Sequence, residues 1–543
     1  MSSPRHPVAL RYSAWALTAL GVALVWPLAA ILASWFALDA TGWQTLQAMA
    51  QTVMPRYLMT SVWLCLAVGF GVAVVGSAMA LAVTVFDFPG RRFFEWALLL
   101  PLAIPPYVVA YGYTDFLQFA GPMQTAMRAF LGVQGRVFPE VRNMAGAIWV
   151  FTFTLYPYVY LLARTALSER AVSLIEAAAL LGAPLRRRLW EVALPMARPA
   201  IAAGVALALM ETLADFGVVS YFGVQSFTAG VYKAWLAMDD RYAAAQLASL
   251  LLALVAVLLS VERRAQRQMR FSARQLVGRG QGAQPHRLRG RSALLAFALC
   301  SVPLLAGFIL PVSFMVRPLW ADWTGLQLAP FGAWTLNSLR LASLTAVLAT
   351  GAALALALFQ RVRPGRAAAA LVGGIGLGYA VPGAVVVVGL LLPLGWLREW
   401  SPQNTFGAFM TATSFGIVWA YMVRFTAVGL QSVQSGYSRV PRSLDETARL
   451  LGCTGWPLWG RVHWPLLRRS TAVALLLVFV DVMKELPATL VLRPFDSDTL
   501  AVMTYQLARD ERLGEAALPA LVLVLVGLIP VILISRTLRT HQH

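Results

Sequence analysis

Four acidic residues stand inside apolar stretches of this 543-residue chain: Glu211 and Asp215, then Asp481 and Glu485. A charge at the centre of a bilayer costs about 2.5–3.5 kcal/mol even on the mildest scale, so such groups face water, an ion partner or a substrate. Each pair has i, i+4 spacing, which predicts two carboxylates on one face of a helix. There they can line or gate a path for a cation. Alternatively, Arg164, Arg424 or Lys484 neutralises them and fixes helix packing; the residues leave both open. Tyr156, Tyr158 and Tyr160 add phenol oxygens, which with carboxylates suit a hard cation, although alternate positions on a helix do not share a face. A transport path must also release its cargo, so no metal site is expected. Cys65, Cys300 and Cys453 have neither metal-ligand nor disulfide spacing. No catalytic residues are expected. The two lysines, Lys233 and Lys484, lie outside any Gly-x4-Gly-Lys-Ser/Thr sequence, so the chain lacks a phosphate-binding loop of that kind.

The elements that must position these groups are apolar helices. The chain is 59% apolar and 13% charged, against about 25% charged in soluble domains, and its mean hydropathy is +0.68. Apolar runs long enough for a bilayer core fall near 14–37, 60–86, 94–119, 146–167, 197–221 and 243–261, then 293–316, 337–359, 367–395, 406–430, 471–492 and 517–535. They predict an all-α integral membrane protein of about twelve transmembrane helices. With alternate loops assigned to opposite sides, 29 of the 44 Lys and Arg fall on the side holding both termini. The positive-inside rule makes that side cytoplasmic. The net charge of +20 is then a membrane-orientation signal, and no nucleic-acid partner is expected. The basic stretch 262–291 reads as a cytoplasmic linker brushing anionic lipid, between halves at 1–261 and 292–543. The first apolar run exceeds a typical signal-peptide core, so it is expected to be retained as a helix.

The two halves repeat. Ser173-Leu174-Ile175-Glu176-Ala177-Ala178-Ala179-Leu180-Leu181-Gly182 matches Ser443-Leu444-Asp445-Glu446-Thr447-Ala448-Arg449-Leu450-Leu451-Gly452 at an offset of 270. The offset carries Pro195 onto Pro465, Glu211 onto Asp481 and Asp215 onto Glu485; upstream, after a small slip, Pro105 pairs with Pro382. Both copies start on the same side, which predicts parallel, pseudo-symmetric repeats with a path at their interface. Segments 168–195 and 438–465 are too charged to span. Each predicts a short helix, a break at Gly182 or Gly452, and a second stretch closing at Pro195 or Pro465. Such an elbow suits docking into another protein.

On these landmarks the sequence resembles the permeases of bacterial ATP-binding-cassette importers, whose signature is a cytoplasmic Glu-Ala-Ala, three residues, Gly, and a hydrophobic-Leu-Pro ending. Glu176-Ala177-Ala178, Gly182 and Val192-Ala193-Leu194-Pro195 fit it well. The second copy keeps Glu446, Gly452 and Pro465 but has Thr447 for the first Ala and His463-Trp464 before its Pro. Met210–Gly217, Tyr221-Phe222-Gly223, Asp481–Pro487 and Leu492-Arg493-Pro494-Phe495 look like the fused ferric-iron branch of that family. The resemblance implies a multi-pass subunit of the bacterial inner membrane. Two copies of a cytoplasmic ATP-binding subunit would grip the loops, and a periplasmic binding protein would deliver ferric iron. ATP and Mg would act on the partner ATPase; this chain itself would bind no cofactor. Thiamine, sulfate or polyamine import remains open, as do an ion-coupled secondary transporter and a passive channel.

Overall fold

The computed structural model describes residues 8–38, 40–168, 177–275, 286–321, 328–362 and 365–540. These residues are overwhelmingly helical, and strand among them is limited to a two-residue parallel pair, Phe86–Asp87 with His286–Arg287. The architecture is that of an all-α integral membrane protein, as the composition predicts. Nine helices among the described residues are long and apolar enough to cross a bilayer, and up to eleven crossings result if each sharply bent helix pair counts as one.

The differences from twelve unbroken runs have local causes. The 94–119 run divides into Arg91–Ala97, a 3-10 turn Leu100–Ala103 and Pro106–Leu117, and its axis turns by 89°. Pro105 and Pro106 have no N–H to continue the helix, and each holds its predecessor extended. The 367–395 run breaks likewise into Arg366–Ile375, Gly378–Ala380 and Gly383–Trp400, with Pro382 at the helix entry just as Pro105 is. The 471–492 run is a helix Trp464–Met483, a break and a short helix Pro487–Leu492; Arg468, Arg469 and Asp481 keep it from being uniformly apolar. The 197–221 run has the same form, Leu194–Ala214 followed by Gly217–Tyr221. Within the stretch 262–291, helix Arg241–Gln275 continues through the early part, residues 276–285 lie outside the described residues, and Arg291 begins the next helix.

Two compact units form, and each is interleaved along the chain. One takes Met1–Gln44, Ala234–Ser249 and Ala329–Val502; the other takes Thr45–Lys233, Leu250–Leu328 and Met503–His543. The sequence repeat and the compact units are therefore different divisions of the chain. In the first unit, Ser414–Tyr437 packs along Trp464–Met483, while Val8–Ala33 packs on Gly383–Trp400 and Arg366–Ile375. Trp419 ties this N-terminal helix down by donating its indole N–H to the Ala23 carbonyl (3.2 Å). In the second unit, Met144–Ala166 is held between Met54–Val85 and Leu194–Ala214. Gly76 and Gly204 face Val159 from either side; a Cβ at either position would lie 2.6 Å from Val159 atoms. Such small residues let helices approach closely where lipid supplies no hydrophobic driving force.

Candidate functional site

The loop tips come first. Glu176 lies outside the described residues, but Ala177 and Ala178 begin a short helical turn over 177–180. It closes through Leu181 N–H to Ala177 O (3.1 Å), Gly182 N–H to Ala179 O (3.0 Å) and Ala183 N–H to Ala178 O (3.0 Å). The second loop repeats the pattern at the end of helix Arg442–Leu450: Leu451 to Thr447 (3.1 Å), Gly452 to Arg449 (3.0 Å) and Cys453 to Ala448 (2.9 Å). Gly182 (φ 79°) and Gly452 (φ 78°) supply the left-handed residue that this helix ending requires. Both glycines stand in open space.

Directly before each glycine stand two bare leucines. Leu180 and Leu181 are 90% and 87% exposed, and Leu450 and Leu451 are 88% and 82% exposed. Apolar pairs repeated at one position of a charged loop are exposed surface of the kind that interaction sites use. Pro195 and Pro465 then follow π-helical turns, Arg188–Ala193 and Trp459–His463, that run directly into the helices Leu194–Ala214 and Trp464–Met483.

The loops differ in anchorage. In the second, the Arg361 guanidinium grips Asp445 with two bonds (2.7 and 3.1 Å) and donates to the carbonyls of Val440 (3.0 Å) and Pro441 (3.2 Å). His463 lies 3.6 Å from the same carboxylate. Burial pushes the Asp445 carboxyl up, but Arg361, with His463 and Arg449, outweighs it and holds the group below the ordinary carboxylate value. Burial, aided by Arg361 and Arg449 and opposed by Asp445, lowers His463. Position 175, which corresponds to Asp445, is isoleucine. Glu446 itself is exposed.

The intramembrane acids are placed differently from a single helix face. Helix Leu194–Ala214 ends before Asp215, whose backbone is extended, and the carboxylate accepts the Val218 N–H at 2.7 Å. Glu485 likewise follows the end of Trp464–Met483. Its carboxylate accepts from Ala488 N–H (2.9 Å), Thr489 N–H (3.0 Å) and the Thr489 hydroxyl (2.7 Å). An acid that captures the N–H groups three and four residues on starts a new helix in place of continuing the old one. Glu211 and Asp481, half-buried, stay within the preceding helices.

Of the three cations offered by the sequence, Arg424 is the partner of Glu485 (3.2 Å), with the Glu485 side chain fully buried. Arg164 pairs with Glu95 (3.0 Å). Where the second copy has Arg424 the first has Thr154, whose hydroxyl turns back to the Val150 carbonyl (2.7 Å). Tyr160 donates to the Glu95 carbonyl (2.9 Å), and Tyr156 is fully buried near Tyr160 and Cys300.

A different set of phenols gathers around Tyr111, near Asp215. Tyr107, Tyr221 and Tyr505, together with the Asp215 carboxylate, lie within electrostatic reach of Tyr111. Tyr111 rings stand 5.7 Å from Tyr107 and 4.6 Å from Tyr221. These four tyrosines are spread from one end of the sequence to the other, so spacing gives no sign of them. Beside Arg142, which donates to the Tyr221 hydroxyl, opens a cavity of about 210 Å³ lined by Thr114, Gln124, Arg136, Glu140, Arg142 and Glu511, among others. Among the described residues no three His, Cys, Asp or Glu side chains come together as a metal site.

Residues 72–270, which include the first loop and the Glu211–Asp215 break, match the family described as binding-protein-dependent transport system inner membrane component. Over that stretch the chain is similar to components of that kind. The Fe(3+)-transport system permease protein FbpB 2 of Haemophilus influenzae is 25% identical, over 89% of this chain and 90% of its own length. The probable ABC transporter permease protein y4fN of Sinorhizobium fredii is 24% identical over 97% of this chain and 95% of its own. The putative 2-aminoethylphosphonate transport system permease protein PhnU of Salmonella typhimurium is 26% identical over 38% of this chain and 74% of its own. The chain has its most distinctive exposed features at the paired loop tips and its least expected buried ones at the two acidic breaks.

Proposed function

We propose that this component is the permease subunit of an ATP-driven importer that carries ferric iron from the periplasm to the cytoplasm. The observation that carries the reading is the duplicated loop tip, with the same three closing hydrogen bonds, a left-handed glycine and two bare leucines in each copy. A secondary transporter or a passive channel has no reason to keep such a docking surface twice. In this reading each loop seats on one copy of a cytoplasmic ATPase, and a periplasmic binding protein supplies the cargo. Both termini are cytoplasmic, and Glu176, Glu446 and the two glycines belong to the coupling surface. Glu211, Asp215, Asp481 and Glu485 sit along or beside the path. The ferric cargo is supported by likeness to an iron permease over most of the chain; the phosphonate relative covers much less of it.

The test is reconstitution of the chain with its ATPase and binding protein in proteoliposomes. Uptake of ferric iron that requires ATP and the binding protein is expected. Uptake driven by a proton gradient through the isolated chain would overturn the importer reading, and ATP-driven uptake of 2-aminoethylphosphonate without iron would overturn the cargo.

A further inference from the structure

The duplication makes an internal comparison possible around the two acidic breaks. Helices Pro106–Leu117 and Gly383–Trp400 start identically. Pro105 accepts from Val108 and Val109 (3.0 and 3.3 Å), and Pro382 accepts from Val385 and Val386 (3.0 and 3.2 Å). This register sets Tyr107 against Ala384 and Tyr111 against Val388, while the register of the acids sets Tyr221 against Val491. Three phenols of the first copy therefore stand where the second has aliphatic side chains, and the second copy keeps a different phenol, Tyr421, which is hydrogen-bonded to Thr489 beside Glu485. The second copy neutralises Glu485 with Arg424; the first has Thr154 at that position.

The phenols are internal. Tyr111 is 0% exposed and its hydroxyl has no hydrogen-bond partner among the described residues, a costly arrangement if the residue served only to fill space, since phenylalanine would fill it without the penalty. Tyr505 is buried and shares a 2.9 Å hydrogen bond with Ser220. Tyr221 reaches toward the cavity through Arg142, which lines it: the Tyr221 ring packs on Tyr111, and its hydroxyl accepts from Arg142 at 3.2 Å. Arg142 also lies over the Tyr221 ring (4.7 Å) and pairs with Glu511 at 3.4 Å.

We propose that Tyr107, Tyr111, Tyr221 and Tyr505, with Asp215, form an oxygen-lined conduit for a hard, oxygen-seeking cation, closed at its mouth by the Arg142–Glu511 pair. Phenol and carboxylate oxygens suit such an ion. Several weak oxygen sites in series allow it both to enter and to leave. Arg142 blocks the mouth sterically and by charge until its pairing with Glu511 and Tyr221 changes. The inference rests on the importer reading for its cargo, but the existence of the conduit is measurable without it.

The chain is assembled with its ATPase and binding protein, and radioiron is supplied as ferric citrate. Tyr111→Phe and Tyr221→Phe are expected to lower uptake about tenfold, the loss of one oxygen contact. Tyr113→Phe is the matched control. Tyr113 lies on the same helix, and its hydroxyl is already given to the Ala306 carbonyl (2.7 Å), so uptake should hold. Unchanged uptake in Tyr111→Phe and Tyr221→Phe, or an equal loss in Tyr113→Phe, overturns the proposal. If the wild-type complex moves no iron, the cargo reading fails and the conduit is decided by labelling. With Cys65, Cys300 and Cys453 replaced by Ser, a cysteine at position 111 should react with a membrane-impermeant thiol reagent during ATP turnover, and faster with Glu511→Gln. No reaction under turnover overturns the conduit.

Discussion

Replacing Arg424 with Ala isolates the energetics of the second acidic break. Glu485 is fully buried beside it, with the Arg424 side chain only 12% exposed. Removing one partner of such a pair strands the other charge, at about 3–5 kcal/mol. The carboxylate keeps its bonds from Ala488, Thr489 N–H and the Thr489 hydroxyl, so the loss should sit at the lower end of that range. Glu485→Gln keeps the shape but leaves Arg424 without its counter-charge and turns an NH2 toward donors, the unmade bonds alone costing about 1–3 kcal/mol. In the double variant Arg424→Met with Glu485→Gln the two losses should fall well short of their sum, because no lone charge remains. Asp215→Asn is the contrast. Asparagine caps a helix as well as aspartate, so its stability cost should be only a few tenths of a kcal/mol while ATP-driven uptake falls. Thermal and denaturant unfolding of the purified protein, run beside uptake in proteoliposomes, separates the two effects. Arg424→Ala within about 1 kcal/mol of wild type, or Asp215→Asn as unstable as Arg424→Ala, would refute the reasoning.

Two further outcomes follow from the loops. Asp substitutions at Leu180 and Leu181, or at Leu450 and Leu451, should leave folding intact, since these side chains are exposed, yet abolish stimulation of the partner ATPase; normal stimulation would remove the docking role. Acid should loosen the second loop before the first. Both Asp445 and His463 have lowered values in the folded protein. Their contribution is therefore complete above their unfolded values, about 4 and about 6.5, and drains as pH falls through the folded ones. Limited proteolysis near Arg442–Leu450 should accelerate below about pH 6, whereas cleavage around residues 177–193 should not.

Much of the architecture was legible because its signals are local. Prolines at 105, 106 and 382 mark real breaks, and the Gly182 and Gly452 register puts left-handed residues where helices end. The acids were found by burial cost alone, but their helix-starting role was not. An i, i+4 pair looks the same in sequence whether the helix continues or the second acid captures the next N–H groups. The choice of Arg424 as the partner of Glu485, and of Glu95 for Arg164, depends on which helices lie side by side. The same holds for Tyr107, Tyr111, Tyr221 and Tyr505. Their convergence is a property of packing, whereas Tyr156, Tyr158 and Tyr160, which drew attention by spacing, carry no such cluster.

The interleaving of the two units has a consequence for biogenesis. Helix Val8–Ala33 emerges from the ribosome first, yet it packs on Gly383–Trp400. At about 5–20 residues per second, its partner is tens of seconds away. The other unit stays open until Met503–His543 has been made. Neither unit can close on half a chain, so early helices must wait in lipid with small-residue faces bare. A nonsense mutation anywhere before Val502 then leaves both units unfinished, and membrane quality control, not transport failure, should be the first thing such a truncated chain meets.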